Sequence, residues 1–505
     1  MRQRDKLLFL CFCMMGLLLA CNFVQPYLGG TPTFTPTSTA VPPTSTPTIT
    51  PTPAPVTISL MPDGSGAYAS LEEAIVAIPA GSTIIFEAGT YYLEGALTVK
   101  KSLTLVGAGM EETVVIGEQG NPMVKFAGPG SWDLEGITFR YEGVSLANVV
   151  VIEDGAVDIS QCRFTGGVWN EDESKGGDGM LLFGNTTGTI RNSRFEENGL
   201  HGIELQDQAQ PTLEGNIFTN NGQSGVVYFE ESGGVALQNE STWNGYHGIS
   251  VNEQAQPTLE ENTCADNGQI GLRYSDDGAG KARQNLCLRN GLHGISVRDQ
   301  AQPTLEGNSC MDNQESGIVY FESGGGVARQ NECRGNGLHG IAVEEQAQPV
   351  LEANICVGNS ESGITYFDEA GGTARQNESR ENGLHGIGVS GQAQPTLEEN
   401  SCTDNQEVGI RFSDNAGGVA RGNLCVRNQL SGIVVRLQAV PTLEENVCND
   451  NVEAGIVYFH ESGGTARFNE CARNKWGIYL DADAAPELVD NNCYDNANGD
   501  VEDRR

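Results

Sequence analysis

The chain has 505 residues and a formal net charge of −37, because 66 Asp and Glu stand against 29 Lys and Arg. This balance argues against a nucleic-acid binder, which needs a basic face that displaces counterions from phosphates. It also argues against docking on anionic lipid through a basic patch. Hydrophobic residues make up 38% of the chain and Gly numbers 65, which indicates a lean core and many turns.

The N-terminus has the layout of a secretory signal peptide. Three basic residues among the first six precede an apolar run from Leu7 to Ala20. That run is too short for an ordinary membrane span, which needs about 20 residues. It ends in Leu18-Leu19-Ala20-Cys21, which resembles the bacterial lipobox. The resemblance implies that residues 1–20 are removed and that Cys21 is lipidated. The alternative is an uncleaved anchor, or a plain signal peptide with an incidental Cys.

The remaining segments divide by composition. Eighteen of the twenty-five residues from Thr31 to Pro55 are Thr or Pro, so residues 21–55 are predicted to form an extended stalk. Residues 56–178 are predicted to form a cap and irregular first coils, residues 179–497 regular repeats, and residues 498–505 a tail. The expected location is outside the cytoplasm, at the cell surface or on the periplasmic side, with the lipid anchor as the contact with the membrane.

A repeat of 23 residues, with a stronger identity every 46, dominates the chain from about residue 179. Gly recurs from Gly179 to Gly455, and each Gly is followed by an apolar residue. Asn recurs in two columns, one from Asn216 to Asn469 and one from Asn198 to Asn496. The repeat lacks the helical apolar period, and its Gly-Ile-Ser-Val segments alternate as short strands do.

These observations predict an all-β fold, a single-stranded right-handed parallel β-helix of about eighteen coils at ~4.8 Å per coil. The buried Asn of each coil is expected to bond its neighbours above and below, as in the internal asparagine ladder of pectate-lyase-like β-helices. Ser70 is expected to cap a short helix that covers the N-terminal end of the solenoid.

One column of the repeat is acidic and does not alternate. We interpret it either as a solvated stripe or as a row of sites for Ca²⁺ or another hard cation, for which clustered carboxylates are suitable ligands. The GGxGxDxUx calcium repeat is absent. The acidic column comprises Glu230, Glu253, Asp276, Asp299, Glu322, Glu345 and Asp368, with Asp207 before them and Gly391, Asp414, Leu437 and His460 after them.

Aromatic residues precede the acidic column at Phe229, Phe321, Phe367 and Phe459, with Ser275 and Ser413 in the gaps of this 46-residue spacing. Strand alternation points them outward, where rings beside carboxylates suit a sugar-binding face; the alternative is local packing over a corner. His247, His293 and His339, with His201 and His385, recur every 46 residues. We interpret the histidines as a polar turn position or as repeated ligand subsites, too far apart to share one metal ion.

Two further columns are interpreted as structural. Glu and Arg alternate from Glu260 and Arg283 to Glu444 and Arg467, which is expected to hold the register of neighbouring coils. Ten Cys share an inward column, where stacked thiols are expected to act as small apolar filler, since neighbouring coils are too far apart for an undistorted disulfide.

The pattern Gly-Ile-x-Val, then Pro-Thr-Leu-Glu-x-Asn-x-Cys-x-x-Asn, resembles the carbohydrate-binding and sugar-hydrolase repeat. Pectin-lyase-fold enzymes, alginate epimerases and the periplasmic copper-handling NosD family carry such repeats. The resemblance implies the fold and leaves the activity open. The Asp-Pro-His-Asp of alginate epimerases, the Trp-Ile-Asp-His of pectate lyases and the signatures of polygalacturonases and pectinesterases are absent.

The sequence therefore assigns no catalytic residue and favours a protein that binds a polysaccharide along its regular acidic and aromatic face. One alternative is a Ca²⁺-dependent polysaccharide lyase, epimerase or hydrolase. In that case the irregular segment from Trp169 to Lys175 is the expected place of the site, because catalysis breaks a repeat. The other alternative is a spacer or adhesin in which the rod itself is the function.

Overall fold

The computed structural model describes residues 53–170 and 176–505. Cys21, the predicted signal peptide and most of the predicted stalk lie outside the described residues, as does the segment 171–175. Residues from Pro53 onward form one unit in which the chain winds through three parallel β-sheets, A, B and C, once per coil. The predicted parallel β-helix is confirmed.

Sheet A has nineteen strands, one more than the eighteen coils that the sequence predicts. Its first strand, Thr57–Leu60, comes before the short helix near the N-terminus. Its strands are Thr57–Leu60, Ser82–Phe86, Leu103–Val106, Ser131–Glu135, Ala156–Ser160, Thr187–Arg191, Thr212–Glu214, Val235–Leu237, Thr258–Glu260, Lys281–Arg283, Thr304–Glu306, Val327–Arg329, Val350–Glu352, Thr373–Arg375, Thr396–Glu398, Val419–Arg421, Thr442–Glu444, Thr465–Arg467 and Glu487–Val489.

Sheet B has fifteen strands, and a separate pair of strands follows them. Val447 forms one β-bridge with Leu424 of the fifteenth strand and another with Glu470 of the pair, and so connects the two. The fifteen are Gly89–Tyr92, Thr113–Gly117, Thr138–Tyr141, Arg163–Thr165, Arg194–Glu196, Ile217–Thr219, Glu240–Thr242, Thr263–Ala265, Leu286–Leu288, Ser309–Met311, Glu332–Arg334, Ile355–Val357, Glu378–Arg380, Ser401–Thr403 and Leu424–Val426; the pair is Glu470–Ala472 and Asn492–Tyr494.

Sheet C runs beside them along the whole solenoid. Its strands are Leu97–Val99, Val124–Ala127, Val150–Glu153, Met180–Phe183, Ile203–Leu205, Val226–Tyr228, Ile249–Val251, Leu272–Tyr274, Ile295–Val297, Ile318–Tyr320, Ile341–Val343, Ile364–Tyr366, Ile387–Val389, Ile410–Phe412, Ile433–Val435, Ala454–Tyr458, Trp476–Leu480 and Gly499–Asp503. The last of these strands lies in residues 498–505, which were expected to be a tail and instead pair with Trp476–Leu480.

The short helix near the N-terminus spans Leu71–Ala77. The Ser70 hydroxyl accepts a hydrogen bond from the backbone N–H of Glu73 at 3.2 Å, so Ser70 is the N-cap, as predicted. The helix buries Leu71, Ala74 and Ile75 against the core.

One coil shows how the sequence builds the interior. Ile295 and Val297 of sheet C, Leu305 of sheet A and Cys310 of sheet B are fully buried. Each pairs with its equivalent 23 residues away in the next coil. Ile295 stacks on Ile318 and Cys310 on Cys333, whereas the large and small partners alternate where Val297 meets Tyr320 and Leu305 meets Ala328. The column Gly is required for packing, since a Cβ on Gly294 would lie 2.6 Å from the carbonyl oxygen of Gly317.

The asparagine ladders hold the corners between sheets. The Asn308 side-chain Nδ2 donates to Asn331 Oδ1 at 2.9 Å and to the Ala282 carbonyl oxygen at 2.9 Å. The backbone N–H of Asn308 donates to the same Asn331 oxygen at 2.9 Å. Each buried amide thus satisfies turn groups of both neighbouring coils, which would otherwise be orphaned.

The column of alternating Glu and Arg and the column of inward Cys both have the structural roles that the sequence predicts. Arg329 pairs with Glu306 at 3.0 Å and Arg375 with Glu352 at 2.8 Å, each between adjacent coils of sheet A. The cysteines of the inward column are unpaired thiols within the described residues, and all but Cys493 are buried.

Candidate functional site: a trough on sheet C

The outer face of sheet C carries a trough made of three columns of side chains. The floor is the outward residue of each strand, and its register along the sheet runs Glu204, Val227, Ser250, Arg273, Ser296, Val319, Ala342, Thr365, Gly388, Arg411, Val434, Val457 and Tyr479. One wall is the histidine column, in which Asp178, Ser316, Ser431 and Trp476 also stand. The other wall is the aromatic column, in which Arg298, Ser413 and Arg436 also stand.

The middle of the trough is closed by rings. The rings of His293 and Phe321, on opposite walls of adjacent coils, have centroids 5.8 Å apart. His339 and Phe367 repeat the contact at 5.7 Å. The floor residue Val319 is consequently fully buried although its strand position points outward. Phe321 and Phe367 thus pack against the opposite wall, and their role as ligand-binding residues stays a prediction.

Toward the C-terminus the trough opens into a cavity of about 670 Å³. Its lining includes Arg411, Val434 and Tyr479 of the floor, with Arg436 and Phe459 of one wall and Trp476 of the other. The rings of Phe459 and Tyr479 lie 5.6 Å apart and are tilted by 52°. A second cavity of about 210 Å³ adjoins it and shares His385 and Arg411. Of the predicted aromatic residues, Phe459 lines the larger cavity and Phe367 the smaller one.

The cations of this open section differ in their partners. Lys475 Nζ pairs with Glu453 at 2.8 Å, and Arg504 Nε pairs with Glu502 at 3.1 Å. Arg411 instead donates to His385 Nε2 at 2.9 Å and to the Ser413 hydroxyl at 3.1 Å, neither of which is anionic. Within the part of the chain that the structure describes, Arg411 therefore forms no ion pair with a carboxylate.

Histidines of this column accept hydrogen bonds from backbone N–H groups of the next coil. Nδ1 of His293 accepts the backbone N–H of Ser316 at 3.3 Å, while Nε2 faces Glu315 at 3.1 Å. His339 does the same with Ser362 and Glu361. Burial lowers the pKa of His293 to about 4, so this imidazole is neutral near pH 7. The proposed ligand subsites at His293 and His339 thus coincide with backbone capping; His247, whose pKa burial lowers to about 3, stays a predicted subsite.

The acidic column also satisfies backbone groups. Glu253 accepts the N–H of Glu230 at 2.9 Å, and Glu322 accepts the N–H of Asp299 at 2.9 Å, each one coil back. The column residues adopt left-handed φ values, 56° at Asp299, and Asp is among the residues that tolerate this conformation. A furrow of about 420 Å³ at Glu322, Glu345 and Asp368 leaves carboxylate oxygens at the surface. The predicted Ca²⁺ sites remain a prediction.

At the other end of the trough, Asp178, His201 and Glu204 form a buried cluster whose polar atoms lie within 4.8 Å of one another. Burial, with the nearby Glu204 charge, raises the pKa of Asp178 well above its usual range. Burial raises the pKa of Glu204 to about 7, against the opposing hydrogen bond from Gln206. His201 Nδ1 accepts the N–H of Ser224 at 3.2 Å, so its proton sits on Nε2 and that atom is not free for a metal. The arrangement suits two carboxyl groups that retain a proton near neutral pH.

Sequence reasoning missed the residues that distinguish the two ends of the trough, which are Asp178, Glu204, Arg411, Arg436, Trp476 and Tyr479. For Glu204, Arg411 and Tyr479 the available signal was the floor column, whose residues vary from coil to coil, and variation within a strict repeat marks positions that the fold does not dictate. Asp178, Arg436 and Trp476 stand in the walls, where they interrupt the recurring His or Phe. The predicted irregular site at 169–175 lies largely outside the described residues, but Asp178 closely follows it.

A family model described as "Right handed beta helix region" matches residues 147–287, 278–383 and 358–493, well over half of the chain. The protein therefore belongs to the right-handed β-helix family. No curated protein matches.

Solved structures with a similar fold include the periplasmic alginate epimerase AlgG, at 13% identity and a TM-score of 0.29, covering 86% of this chain and 83% of that one. The catalytic domain of a GH87 alpha-1,3-glucanase in complex with tetrasaccharides has 12% identity and a TM-score of 0.25, covering 92% and 70%. The Dettilon tailspike protein has 13% identity and a TM-score of 0.31, covering 80% and 68%. Among the described residues there is no helix with the length and apolar character that a membrane span requires.

Proposed function

We propose that this protein binds a polysaccharide in the trough of sheet C, with the open section between His385 and Arg504 as the main binding section. The observation that carries the proposal is the cavity of about 670 Å³ in which Phe459, Tyr479 and Trp476 stand beside Arg411 and Arg436. A cavity of this size is typical of small-molecule and saccharide sites, which combine apolar surface with a few convergent polar groups.

The aromatic rings supply the apolar part of this recognition. Phe459, Tyr479 and Trp476 are half-buried, so their rings are anchored while part of each surface stays accessible. A sugar ring has an apolar face of C–H groups and a rim of hydroxyls, and it can lie on such a ring while the hydroxyls reach polar neighbours. Burying rigid aromatic surface also costs less side-chain entropy than ordering flexible chains does.

The architecture favours a polymer over a single sugar. The walls and floor continue from one coil to the next at ~4.8 Å, and the smaller cavity at Phe367 adjoins the larger one. A linear polymer laid along sheet C would meet wall positions in successive coils, and linked contacts raise avidity without new chemistry.

The experiment uses the purified full chain and a panel of acidic and neutral polysaccharides, with retained polymer measured by affinity electrophoresis. The variant Tyr479→Ala is expected to weaken retention at least tenfold. The matched control is Phe468→Ala, which removes an aromatic ring that is 51% exposed and lies away from the trough. Equal retention by Tyr479→Ala and the original protein, or no retention of any polymer, would contradict the proposal.

A second candidate function rests on Asp178 and Glu204. A carboxyl group with a pKa of about 7 can donate and accept protons near neutral pH, as catalysis of polysaccharide cleavage or epimerisation requires. The same panel is therefore scored for new reducing or unsaturated chain ends. Their formation by the original protein and loss in Glu204→Gln would support a lyase or a hydrolase. An epimerase leaves the chain ends unchanged, so it is scored by a change in the sugar composition of the polymer; retention with neither change favours the binding protein.

A further inference from the structure

Arg411 and Arg436 lie on adjacent coils of the trough and have no carboxylate partner. Arg411 is on the floor and Arg436 is on the wall one coil further along, and both line the open cavity. Within residues 53–170 and 176–505, neither guanidinium forms an ion pair. Arg436 Nε is buried without a hydrogen-bond partner. Two like charges are thus held close together in a half-buried place, which costs free energy unless an anion joins them.

The same wall column contains a second arginine, Arg298, which has the carboxylate partners that Arg436 lacks. Arg298 occupies the equivalent position six coils earlier and pairs with Asp299 at 3.3 Å and with Glu322 at 3.0 Å. Both partners belong to the acidic column, at the next residue and in the next coil. The residues equivalent to these partners beside Arg436 are Leu437 and His460. The acidic column therefore breaks at the two positions from which it would neutralise Arg436.

The nearest acidic residues do not take over that task. Asp414 accepts the Ser413 hydroxyl at 3.0 Å, and Glu407 faces His385 at 3.4 Å. Burial and the neighbouring Arg436 charge lower the pKa of Arg411, against the opposing charges of Asp414 and Glu407, neither of which forms an ion pair with it. Lys475 and Arg504 line the same cavity but carry their own carboxylate partners.

We infer that Arg411 and Arg436 form a subsite for an oxyanion carried by the bound saccharide, a carboxylate or a sulfate ester. Guanidinium groups suit both, because their planar N–H donors bind oxyanions through paired, charge-assisted hydrogen bonds. Phe459, which follows Arg436 in the wall, and Tyr479 on the floor would support the ring that bears the charge. This inference rests on the proposed function and gives it a substrate class, an acidic polysaccharide.

The test compares matched saccharides by isothermal titration calorimetry with the full chain. The probes are hexasaccharides of galacturonate and mannuronate with their carboxyl-reduced counterparts, and a sulfated galactan hexasaccharide with its desulfated counterpart. We expect at least one acidic probe to bind at least tenfold more tightly than its neutral counterpart. A preference confined to the uronates assigns a carboxylate ligand, and one confined to the galactan assigns a sulfate ester.

Three variants connect the preference to the two arginines. Arg436→Gln is expected to weaken binding of the preferred acidic probe about tenfold and of its neutral counterpart less than twofold. Leu437→Asp places a carboxylate beside Arg436 in the position that Asp299 has beside Arg298. It should reduce the ratio of acidic to neutral probe affinity although Arg436 itself is unchanged. Arg421→Gln is the control and should change neither affinity, because Arg421 lies on sheet A, away from the trough, and pairs with Glu444 at 3.1 Å.

The outcomes separate this inference from the proposed function. Neutral probes that bind as tightly as acidic ones, or an equal loss of both in Arg436→Gln, overturn the oxyanion subsite and leave saccharide binding standing. Absence of binding by all six probes and by the polysaccharide panel overturns both. Circular dichroism melting curves confirm that each variant is folded.

Discussion

His293 and Phe321 stand on opposite walls of the trough in successive coils, and their rings meet at 5.8 Å with an angle of 62° between their planes. This contact closes the trough over Val319, while the same two columns leave it open around Arg411 and Arg436. One repeat therefore produces a sealed section and an open section by exchanging a few side chains.

The sealed section should lose stability when its ring is removed. Phe321→Ala deletes a half-buried ring and exposes Val319 and the imidazole of His293 to water. We expect the free energy of unfolding to fall by about 1–2 kcal/mol, less than for a fully buried Phe. Urea unfolding followed by circular dichroism measures this, with Phe468→Ala as the control, since that ring is exposed; an equal effect of the two substitutions would contradict the closure.

The asparagine ladder should be more sensitive than the trough. Asn308→Ala removes the acceptor that serves Asn285 and the donor that serves Asn331 and Ala282. Because buried donors and acceptors are then left without partners, we expect a loss of about 3 kcal/mol in the free energy of unfolding. Asn185→Ala, at an exposed position, is the control and should change the urea midpoint little. A small effect at Asn308 would mean that water enters the corner and replaces the amide.

Glu204 should make the fold less stable as the pH rises. Its pKa is raised to about 7 in the folded state from an ordinary value near 4.5, so the folded protein holds the proton more tightly. Its contribution therefore declines as the pH rises from about 4.5 through about 7. Glu204→Gln should flatten that part of the melting-temperature profile and melt higher than the original protein at pH 8. Glu214→Gln, on the exposed face of sheet A, should preserve the profile; a Glu204→Gln profile identical to the original would contradict the prediction.

His293 should act in the opposite direction. Its pKa is lowered to about 4 in the folded state from an ordinary 6.5, so unfolded chains take up the proton first. Stability attributed to neutral His293 is present above pH 6.5 and is lost as the pH falls from 6.5 through about 4. His293→Ser introduces the residue found in this column at Ser316 and should reduce the acid-induced fall in melting temperature. The comparison is made between pH 7 and pH 4, and an unchanged slope would show that His293 does not titrate on unfolding.

The predicted lipid anchor is tested at Cys21. If this residue is lipidated, Cys21→Ser should move the protein from the membrane fraction to the soluble fraction, because thioether attachment of the lipid needs the sulfur. Fractionation with detergent partitioning measures the change, and Cys13→Ser within the apolar run is the control. Membrane retention of the Cys21→Ser protein would favour the uncleaved anchor.

The fold could be predicted because its determinants are local and repeated. Gly294, Asn308 and Cys310 occupy positions that recur in coil after coil, and each recurrence has one physical reason, such as a close backbone approach or an orphaned turn N–H. The strand Gly499–Asp503 falls in the segment that the sequence predicts to be a tail, and it belongs to the last coil, where the repeat signal is weakest.

The trough could not be predicted in the same way. The alternation of strand residues correctly points Phe321 and Phe459 outward, but it does not show that one ring meets a histidine and the other lines a cavity. Nor does it show that Leu437 matters to Arg436, since that relationship appears only when Arg298 is seen with its two partners. Such outcomes depend on side chains from neighbouring coils, which are separated by 23 residues in sequence and vary independently of the repeat.

The strict register of the coils has a consequence for how such a protein can change. Residues 46 positions apart share their backbone path and their core residues, so removing or adding a 46-residue unit between two equivalent Gly residues rejoins matching surfaces. The distance between the Glu204 end of the trough and the Arg436 end is thus adjustable in steps of two coils, by insertion or deletion of a unit that leaves every core position occupied.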